Sequence, residues 1–299
     1  MIRAPHSAEV TAVIPTTGRV SLKAAVQSVL RQSVEVIPLV VLDDPSAQNQ
    51  VCHTLRGLKY HLISIPGGCG AAAARNLGAA AAGTEYVAFL DDDDQWVAQK
   101  TERRLAQLRE NLAAHGDSIV SARILLVGET SKVVPESLYG PGTDISSYVL
   151  DRSTLRLRRC FMQSSSLLCR RRTALQVPWN EKLARHQDWD WLVALQRHGV
   201  HIAQLLDVLV RVFQHSPDSV SNTPNWQASV AWLQTLPPTV TTRARGDFIT
   251  SIVARGAFES GSLVRGAQEL LRGVAAGAHP AAAVVGLTGF VRYGRYRRG

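Results

Sequence analysis

The stretch YVAFLDDDDQW at Tyr86–Trp96 decides the fold of this chain, because an apolar run ends there on four consecutive aspartates. Such a run, bounded by polar residues, predicts a buried strand over Glu85–Leu90. The carboxylates of Asp91–Asp94 form an oxygen-only cluster, which suits a hard divalent cation such as Mg²⁺ or Mn²⁺ better than zinc. Their mutual repulsion should raise their pKa values unless a cation is supplied. The alternative is a solvated acidic turn that caps the helix after Trp96.

Strands and helices alternate before this stretch. The pattern predicts strands over Val10–Pro15, Val36–Leu42 and Tyr60–Ile65, and helices over Leu22–Leu30, with Ser21 as N-cap, and Ala71–Ala82. Continuous apolar strands separated by helices predict an α/β fold around a parallel sheet that is covered on both faces. Ligands of such sheets bind beyond the carboxyl ends of the strands. We therefore expect Pro15-Thr16, Asp43-Asp44, the Gly67–Gly70 loop and Asp91–Asp94 to converge on one edge.

The rest of the chain changes character at about Pro217. Before it, the pattern predicts a helix over Val97–His115, strands over Ser118–Val127, Phe161–Cys169 and within Ile202–Phe213, and a helix over Trp189–Arg197. After it no strand pattern is left. Helices are predicted over Gln227–Leu236, Arg243–Gly261 and Leu263–Ala276.

Positive charge is concentrated at the C-terminal end. The 299 residues are 45% hydrophobic and 19% charged, which excludes a disordered or fibrous chain, and the net charge is +9. Nine arginines against three acidic residues give Val240–Gly299 a net charge of +6, and leave +3 for the rest. A nearly neutral body with a basic end does not describe a nucleic-acid-binding protein.

Cysteine spacing and hydropathy predict a cytoplasmic location. The four cysteines show neither a zinc-ribbon nor a thioredoxin-type spacing, and we expect them to be reduced. Met1–Arg19 lacks the apolar core of a signal peptide. The most lipid-like segment, Val274–Val291, contains Pro280 and several glycines, and is therefore poor material for a membrane-spanning helix. Attachment to a membrane surface stays open.

The glycine-rich loop offers a competing interpretation. Gly68-x-Gly70-x-x-Ala73 follows a strand and opens a helix, and Asp91 lies 23 residues after Gly68, near the spacing of a ribose-binding acid in a NAD-dependent oxidoreductase. Two observations weaken this hypothesis. The fingerprint normally opens the first βαβ unit, whereas here it follows the third strand, and one acid would be enough for a ribose. A plain helix-entry loop is the other interpretation.

A second acidic site is predicted at Asp188. It lies with Asp190 at the start of a predicted helix, where carboxylates are favoured by the helix dipole, so a capping role is one interpretation. The flanking Trp189 and Trp191 could instead desolvate a carboxylate and adapt it as a general base.

Six segments, taken in order, resemble the family 2 glycosyltransferases of the GT-A fold. They are VTAVIPTTGR (Val10–Arg19), VVLDDPS (Val40–Ser46), AARNLGAA (Ala73–Ala80), YVAFLDDDDQW, SSSLLCRRRTAL (Ser164–Leu175) and WNEKLARHQDWDWLVAL (Trp179–Leu195). The resemblance covers about Val10–Ser221. It implies a GT-A domain over residues 1–221, with a nucleotide-sugar half to about residue 115 and an acceptor half over 116–221. The fold implied is a mostly parallel, Rossmann-like sheet flanked by helices, followed by a helical C-terminal region with a basic tail over 222–299.

The resemblance also implies the roles of individual residues. Pro15, Thr16, Asp43 and Asp44 would hold the nucleobase and ribose, and Asp91-Asp92-Asp93 would be the Asp-x-Asp motif. Nucleotide-sugar contacts are implied for Pro15, Thr16, Arg19, Asp43, Asp44, Asn76, Asp91, Asp92 and Asp93. The Mn²⁺ or Mg²⁺ ligands implied are Asp93, Asp91 and His215.

Asp188 falls on the catalytic base of the family, with Gln187 in place of the usual glutamate. The implied reaction is inverting transfer from a nucleotide-sugar, UDP-sugar favoured, to a saccharide, lipid-linked, natural-product or peptide acceptor. A sugar-1-phosphate nucleotidyltransferase and a non-catalytic sugar-nucleotide binder are the alternatives. Arg19 and Arg170–Arg172 are expected to serve the diphosphate. The basic C-terminal region is either a solubilising tail or a surface that contacts the inner face of the membrane or a second copy.

Overall fold

The computed structural model describes residues 8–140, 142–155, 159–213 and 225–296, with side chains up to residue 291. The chain forms two compact units. The first comprises Met1–Pro141, Met162–Lys182 and Gln187–Ser216, and the second comprises Gly142–Phe161, Leu183–His186 and Pro217–Gly299. The second unit therefore takes two short segments from within the region that the sequence assigns to residues 1–221.

The first unit opens with alternating strands and helices. In chain order these are β1 (Val10–Thr16), α1 (Leu22–Leu30), β2 (Val36–Leu42), α2 (Gln48–Thr54), β3 (His61–Ser64), α3 (Gly70–Ala81) and β4 (Tyr86–Phe89). The four strands are parallel and lie side by side in the order β3-β2-β1-β4. β1, β2 and β4 are buried along their whole length, as their continuous apolar runs predict.

Ser21 does not cap α1 as predicted. Its backbone is helical, with φ −59° and ψ −26°, and its side chain makes no capping hydrogen bond. An N-cap residue needs an extended backbone to turn its hydroxyl onto the first turn of the helix, and Ser21 lacks it. Only its carbonyl takes part, as acceptor from the backbone N–H groups of Ala24 and Ala25.

Beyond β4 the sheet becomes mixed. The chain continues through β5 (Asp94–Trp96), α4 (Lys100–His115), β6 (Ser118–Val127), β7 (Lys132–Val134), α5 (Ile145–Leu150, in the second unit), β8 (Leu168–Arg170), α6 (Arg171–Gln176), α7 (Gln187–Arg197) and β9 (His201–Phe213). The strand order is β3-β2-β1-β4-β8-β6-β9-β5, with β7 paired to β6. β8 is antiparallel to both neighbours, β9 is parallel to β6, and β5 is antiparallel to β9. The predicted α/β class is confirmed, and the sheet is parallel throughout the half that carries the acidic loops.

The predicted strand over Phe161–Cys169 is mostly wrong. Only Leu168–Arg170 is strand, whereas Ser164–Ser166 form a 3-10 turn. These serines are fully buried, and their hydroxyls bond to carboxylates and to other polar groups. A turn that satisfies buried polar groups therefore replaces the regular ladder there.

Small residues let α3 lie close to the sheet. A Cβ at Gly78 would collide with Cγ1 of Val13 on β1, and Ala74 and Ala79 are buried beside it. The alanine-rich sequence of this helix is therefore a packing requirement. Close packing also brings Arg75, one turn before Gly78, under the acidic loop that follows β4.

All regular secondary structure in the described part of the second unit is helical. Besides α5 it contains α8 (Trp226–Thr235), α9 (Thr242–Phe248), α10 (Arg255–Glu259), α11 (Leu263–Ala275) and α12 (Pro280–Tyr296). A π-helical stretch, Ile249–Ala254, joins α9 to α10, so the helix predicted over Arg243–Gly261 is one run with a wider middle turn. Asp247 accepts hydrogen bonds from the backbone N–H groups of His279 and Arg152. Among the described residues, no helix has the length and apolar character needed to cross a bilayer.

Candidate functional site

The loops that follow β1 and β4 meet at the carboxyl edge, the side of the sheet on which the parallel strands end. The hydroxyl of Thr16 donates to Oδ2 of Asp92 at 2.6 Å and accepts from the N–H of Gly18 at 2.9 Å. Arg19 places Nη1 3.6 Å from Oδ1 of Asp92 and 3.4 Å from Oδ2 of Asp93. The convergence predicted from the parallel strand order is therefore present.

The four aspartates turn towards different partners. Asp91 pairs with Arg75 at 2.7 Å and accepts a hydrogen bond from Ser164 at 3.0 Å. Asp92 accepts from Thr16, and Asp93 lies beside Arg19. Asp94 accepts from Ser165 at 2.6 Å and from Gln163 at 2.9 Å. Two arginines thus supply cations beside the cluster, at opposite ends of the Asp91–Asp93 run. Because the four carboxylates point to different partners and two arginines pair with them, their mutual repulsion is reduced.

Burial is the main cause of the raised pKa values in this cluster. It raises the pKa of Asp92 to about 6, against the lowering effects of the Thr16 hydrogen bond and the Arg19 charge. The charges of Asp93 and Asp91 raise the pKa of Asp92 by less than burial does. Burial also raises the pKa of Asp94 well above its usual value, with Asp91 as the second cause. The predicted direction is confirmed for Asp92 and Asp94, and for both of them desolvation contributes more than mutual repulsion.

Arg75 connects the acidic cluster to α7 and was not among the site residues predicted from the sequence. Its side chain is almost completely buried, with Nη2 on Asp91 and Nη1 3.2 Å from Oε1 of Gln187. Its guanidinium lies over the ring of Trp179, 4.7 Å from the centroid. The available signal was a lone arginine within an alanine-rich helix, where a charge has no reason to be buried unless it has partners.

Asp188 lies in the first turn of α7 and joins the same network. Burial raises its pKa to about 6, the positive charge of Arg75 opposes this rise, and the negative charge of Asp91 adds to it. Hydrogen bonds from the backbone and hydroxyl of Ser164 also lower the pKa of Asp188. A partly desolvated carboxylate with a pKa close to neutrality is suited to accept a proton.

An aromatic cluster fixes the start of α7. Trp191 is fully buried, stacks on Trp179 with 4.2 Å between ring centroids, and donates from Nε1 to the carbonyl of Val177 at 2.7 Å. Phe89 at the end of β4 packs edge-on against both tryptophans. The cluster holds α7 against the end of the strand that leads into the aspartates.

Asp43 at the end of β2 caps the N-terminus of α3. Its two oxygens accept from the backbone N–H groups of Cys69 at 2.8 Å and Gly70 at 2.6 Å. A dinucleotide-binding loop would offer these N–H groups to a pyrophosphate. Since a carboxylate of the chain already takes them, the geometry speaks against the oxidoreductase hypothesis. Asp44, next along the chain, accepts from the N–H and hydroxyl of Ser46 and opens the turn over Pro45–Ala47.

Asn76 on α3 forms hydrogen bonds to Trp179 and Glu181, in the segment that precedes α7. Its Nδ2 donates to the carbonyl of Trp179 at 2.9 Å and to Oε1 of Glu181 at 2.8 Å, and its Oδ1 accepts from the N–H of Trp179 at 2.8 Å. A contact from this amide to a nucleotide-sugar would have to replace some of these bonds. Pro15, by contrast, lies buried within β1 directly before Thr16.

Gln163 and the first two serines of the 3-10 turn that follows it complete the network and were missed as site residues. Gln163, Ser164 and Ser165 form hydrogen bonds to the side chains of Asp91 and Asp94. Ser165 also accepts from the backbone N–H of Asp91 at 3.0 Å. The segment SSSLLCRRRTAL carried the resemblance, but nothing local in a run of serines identifies which carboxylate it will contact.

The expectation that Arg170–Arg172 serve a diphosphate is wrong. β8 is antiparallel to β4, and Arg170 pairs with Tyr86 at the start of β4, so these arginines lie at the edge opposite the aspartates. Arg171 donates to the carbonyls of Ala79 and Ala80 at the end of α3, and Arg172 pairs with Asp117. A parallel β8 would have placed them at the carboxyl edge.

The acidic cluster fits a divalent ion that a ligand's phosphates help to hold. Within the described residues no three His, Cys, Asp or Glu side chains are arranged as a metal cage. Mg²⁺ sites commonly use one or two carboxylates and complete their shell with substrate phosphates and water. Asp93 and Asp91 are hard oxygen donors of this kind. His215, the third predicted ligand, lies outside the described residues.

Sequence comparison connects the chain to sugar-transferring enzymes. The family model described as "Glycosyl transferase family 2" matches residues 11–155. The chain is 29% identical over 231 residues to the amylovoran biosynthesis glycosyltransferase AmsB of Erwinia amylovora, covering 71% of this chain and 72% of AmsB. It is 33% identical over 93 residues to WfgD of Escherichia coli, named a UDP-Glc:alpha-D-GlcNAc-diphosphoundecaprenol beta-1,3-glucosyltransferase, covering 30% of this chain and 37% of WfgD.

Solved structures share the fold. TarS 1-349 of S. aureus in complex with UDP-GlcNAc matches with a TM-score of 0.59 at 15% identity, over 97% of this chain and 92% of that one. The mannosyltransferase PcManGT of Pyrobaculum calidifontis, in complex with GDP-Man and Mn²⁺, matches with a TM-score of 0.55 at 18% identity, over 97% and 82%. At these identities the likeness concerns the fold, which is that of the GT-A glycosyltransferases.

Proposed function

The chain is a family 2 glycosyltransferase, and from this premise we propose that it transfers a sugar from a nucleotide-sugar, with inversion, to an acceptor hydroxyl. One observation carries the proposal. Arg75 joins the acidic cluster after β4 to the start of α7, so that the groups suited to hold a diphosphate and the base candidate Asp188 belong to one hydrogen-bonded network.

The donor is proposed to bind along the carboxyl edge of the sheet. Pro15, Thr16, Asp43 and Asp44 would hold the nucleobase and ribose, and Arg19 is the cation beside Asp92 and Asp93 that can face a diphosphate. We favour a UDP-sugar, because the name of WfgD specifies UDP-Glc and TarS was solved with UDP-GlcNAc.

A divalent ion, Mn²⁺ or Mg²⁺, would be held by Asp93 and Asp91, with His215 as a further ligand. When bound it supplies positive charge that stabilises the diphosphate leaving group as a Lewis acid. The match to PcManGT, solved with GDP-Man and Mn²⁺, supports a divalent ion in this role. Arg75 orients Asp91 through its 2.7 Å contact.

Asp188 is proposed as the general base. It would take the proton of the acceptor hydroxyl while that oxygen attacks the anomeric carbon on the face opposite the diphosphate. Its pKa of about 6 leaves it mostly ionised at pH 7 and still basic enough to accept a proton. Hydrogen bonds from Ser164 orient its carboxylate, and the positive charge of Arg75 favours the ionised form. Gln187 accepts from Nη1 of Arg75.

The acceptor is proposed to be a saccharide, free or lipid-linked, at the cytoplasmic side of the membrane. The names of AmsB and WfgD refer to amylovoran biosynthesis and to a diphosphoundecaprenol-linked sugar, and both support a glycan acceptor. Natural-product and peptide acceptors are alternatives that the same donor site would serve.

A panel of nucleotide-sugars with Mn²⁺ tests the proposal. We expect one UDP-sugar to raise the melting temperature of the full chain and to be hydrolysed slowly without acceptor. Asp188→Asn should keep the thermal shift and lose turnover, whereas Glu129→Gln, which changes an exposed carboxylate, should keep both. Stabilisation by NAD alone, or wild-type turnover in Asp188→Asn, would overturn the assignment.

A further inference from the structure

We propose that α11 and α12 bind the surface of a membrane that contains anionic lipid. The contact would be made by their outer face, which we define as the exposed apolar side chains of the two helices. These are Val264, Leu271 and Val274 on α11, and Val284, Leu287, Phe290 and Val291 on α12. The proposal concerns the second unit alone and does not depend on the transfer reaction.

Large apolar side chains are exposed to solvent on α11 and α12. Val264 is 75% exposed and Leu271 is 69% exposed, and the remaining members of the outer face are about half exposed. Single exposed apolar residues are ordinary on a protein surface, but a set of seven on two consecutive helices is not.

The buried side of both helices consists largely of glycine and alanine. Gly266 and Gly273 of α11, and Gly286 and Gly289 of α12, pack on the run from α9 to α10. A Cβ at Gly266 would collide with the ring of Phe258, and one at Gly286 or Gly289 would collide with a backbone carbonyl of that run. The close approach leaves no room for a side chain at these four glycines, and the seven large apolar residues of the outer face are exposed instead.

This arrangement is the reverse of a helix that packs in water. A surface helix normally buries its large apolar residues and exposes polar ones. Small residues at the helix contacts and large apolar residues on the outside are typical of helices that face lipid. The outer face would lie in the interface, with its side chains among the headgroups and upper acyl chains.

The positive charge of this region favours anionic lipid, and disfavours a second copy of the chain, as the partner of the outer face. All three carboxylates of Val240–Gly299 are turned inward or paired: Asp247 and Glu269 are buried, and Glu259 pairs with Arg255. Arg265 and Arg272 flank the outer face, and both form ion pairs with the single carboxylate of Glu269. The sequence adds four arginines, at positions 292, 295, 297 and 298, whose side chains lie outside the described residues.

Two copies that met through this face would bring Arg265 and Arg272 of both copies together. Anionic headgroups instead provide the complementary charge, at about 1 kcal/mol for each basic residue near the surface. The outer face and its arginines therefore fit a bilayer that contains acidic phospholipid.

Vesicle flotation with the full chain tests the proposal. We expect binding to vesicles of phosphatidylcholine with about one third phosphatidylglycerol, weak binding to phosphatidylcholine alone, and release at high salt because the attraction is partly electrostatic. The double variant Leu271→Glu/Leu287→Glu should lower partitioning at least about tenfold, because it removes two apolar contacts and adds two negative charges. Its melting temperature should stay near that of the wild type, since both residues are exposed.

Leu206→Glu is the matched control, because Leu206 is a leucine of similar exposure, 61%, on β9 in the other unit. It should bind vesicles like the wild type. Three results would overturn the proposal: no flotation of the wild type, equal flotation of the double variant, or a lipid-free dimer that Leu271→Glu/Leu287→Glu dissociates. The last result would assign the outer face to a second copy.

Discussion

Replacing Asp188 by asparagine should abolish transfer and, at the same time, stabilise the folded chain at neutral pH. The substitution keeps the size of the side chain and removes its charge. Loss of a general base lowers the rate about 10²- to 10⁴-fold. If the charge of Asp188 is needed in the reaction but destabilises the fold, the variant should lose transfer and gain stability. Replacing a purely structural aspartate should not produce these two effects together.

The expected gain in stability follows from the pKa of Asp188. Burial raises it from 3.8 to about 6, so the folded state holds this proton more tightly than the unfolded state does. Each pKa unit corresponds to about 1.4 kcal/mol, which sets an upper limit of about 3 kcal/mol on the cost of ionising Asp188 in the folded chain. Because Asp188 as a whole residue is half-buried, we discount this limit for solvent screening and expect about 1–2 kcal/mol.

The sign of the pH dependence is fixed by the same shift. Below pH 3.8 Asp188 is protonated in both states and costs nothing. Between pH 3.8 and about 6 the unfolded state loses the proton first, so wild-type stability falls as the pH rises, and above about 6 the loss is complete. Asp188→Asn lacks this fall. The difference in free energy of unfolding between variant and wild type should therefore grow from pH 4.5 to pH 7.5.

Urea unfolding of both proteins at the two pH values, without divalent ion or donor, measures this difference. Glu129→Gln removes an exposed carboxylate and serves as the control, with no expected change in the difference between the two pH values. The reasoning would be refuted if Asp188→Asn were less stable than the wild type at pH 7.5, or if the difference were the same at both pH values.

Three further predictions follow from the site and its packing. Transfer by the wild type should fall about tenfold for each pH unit below about 6, as Asp188 becomes protonated, and a flat rate between pH 5 and 7 would contradict this. Excess chelator should stop turnover, and Asp93→Asn should raise the Mn²⁺ concentration needed to restore it; full turnover in chelator would exclude the proposed ion. Gly78→Ala should lower the free energy of unfolding by about 1–3 kcal/mol in urea titrations, because the added methyl group would collide with Val13. Adding Val13→Ala to this variant should restore part of the lost stability.

Much of the fold was predictable from local pattern. Apolar runs predicted β1, β2 and β4 within about one residue, and helical periodicity predicted α1, α3 and α4. The expectation that acidic loops meet at the carboxyl edge needed only the rule that parallel strands end on the same side. The prediction was weaker where polar residues are buried, as at Ser164–Ser166, because a hydroxyl that bonds to a distant carboxylate leaves no periodic signal.

The sequence by itself determined which chemical groups this protein possesses: four adjacent aspartates after a buried strand, Asp188 directly before a tryptophan, and a C-terminal end rich in arginine. Only the tertiary structure decided how they are used. Contacts across more than 70 residues, such as Thr16 with Asp92 and Ser164 with Asp91, direct each carboxylate to its own partner. The antiparallel entry of β8 places Arg170–Arg172 at the edge away from the aspartates. The physical reason is the range of the interactions: strand and helix patterns depend on near neighbours, whereas desolvation and ion pairing depend on which distant segments the fold brings together.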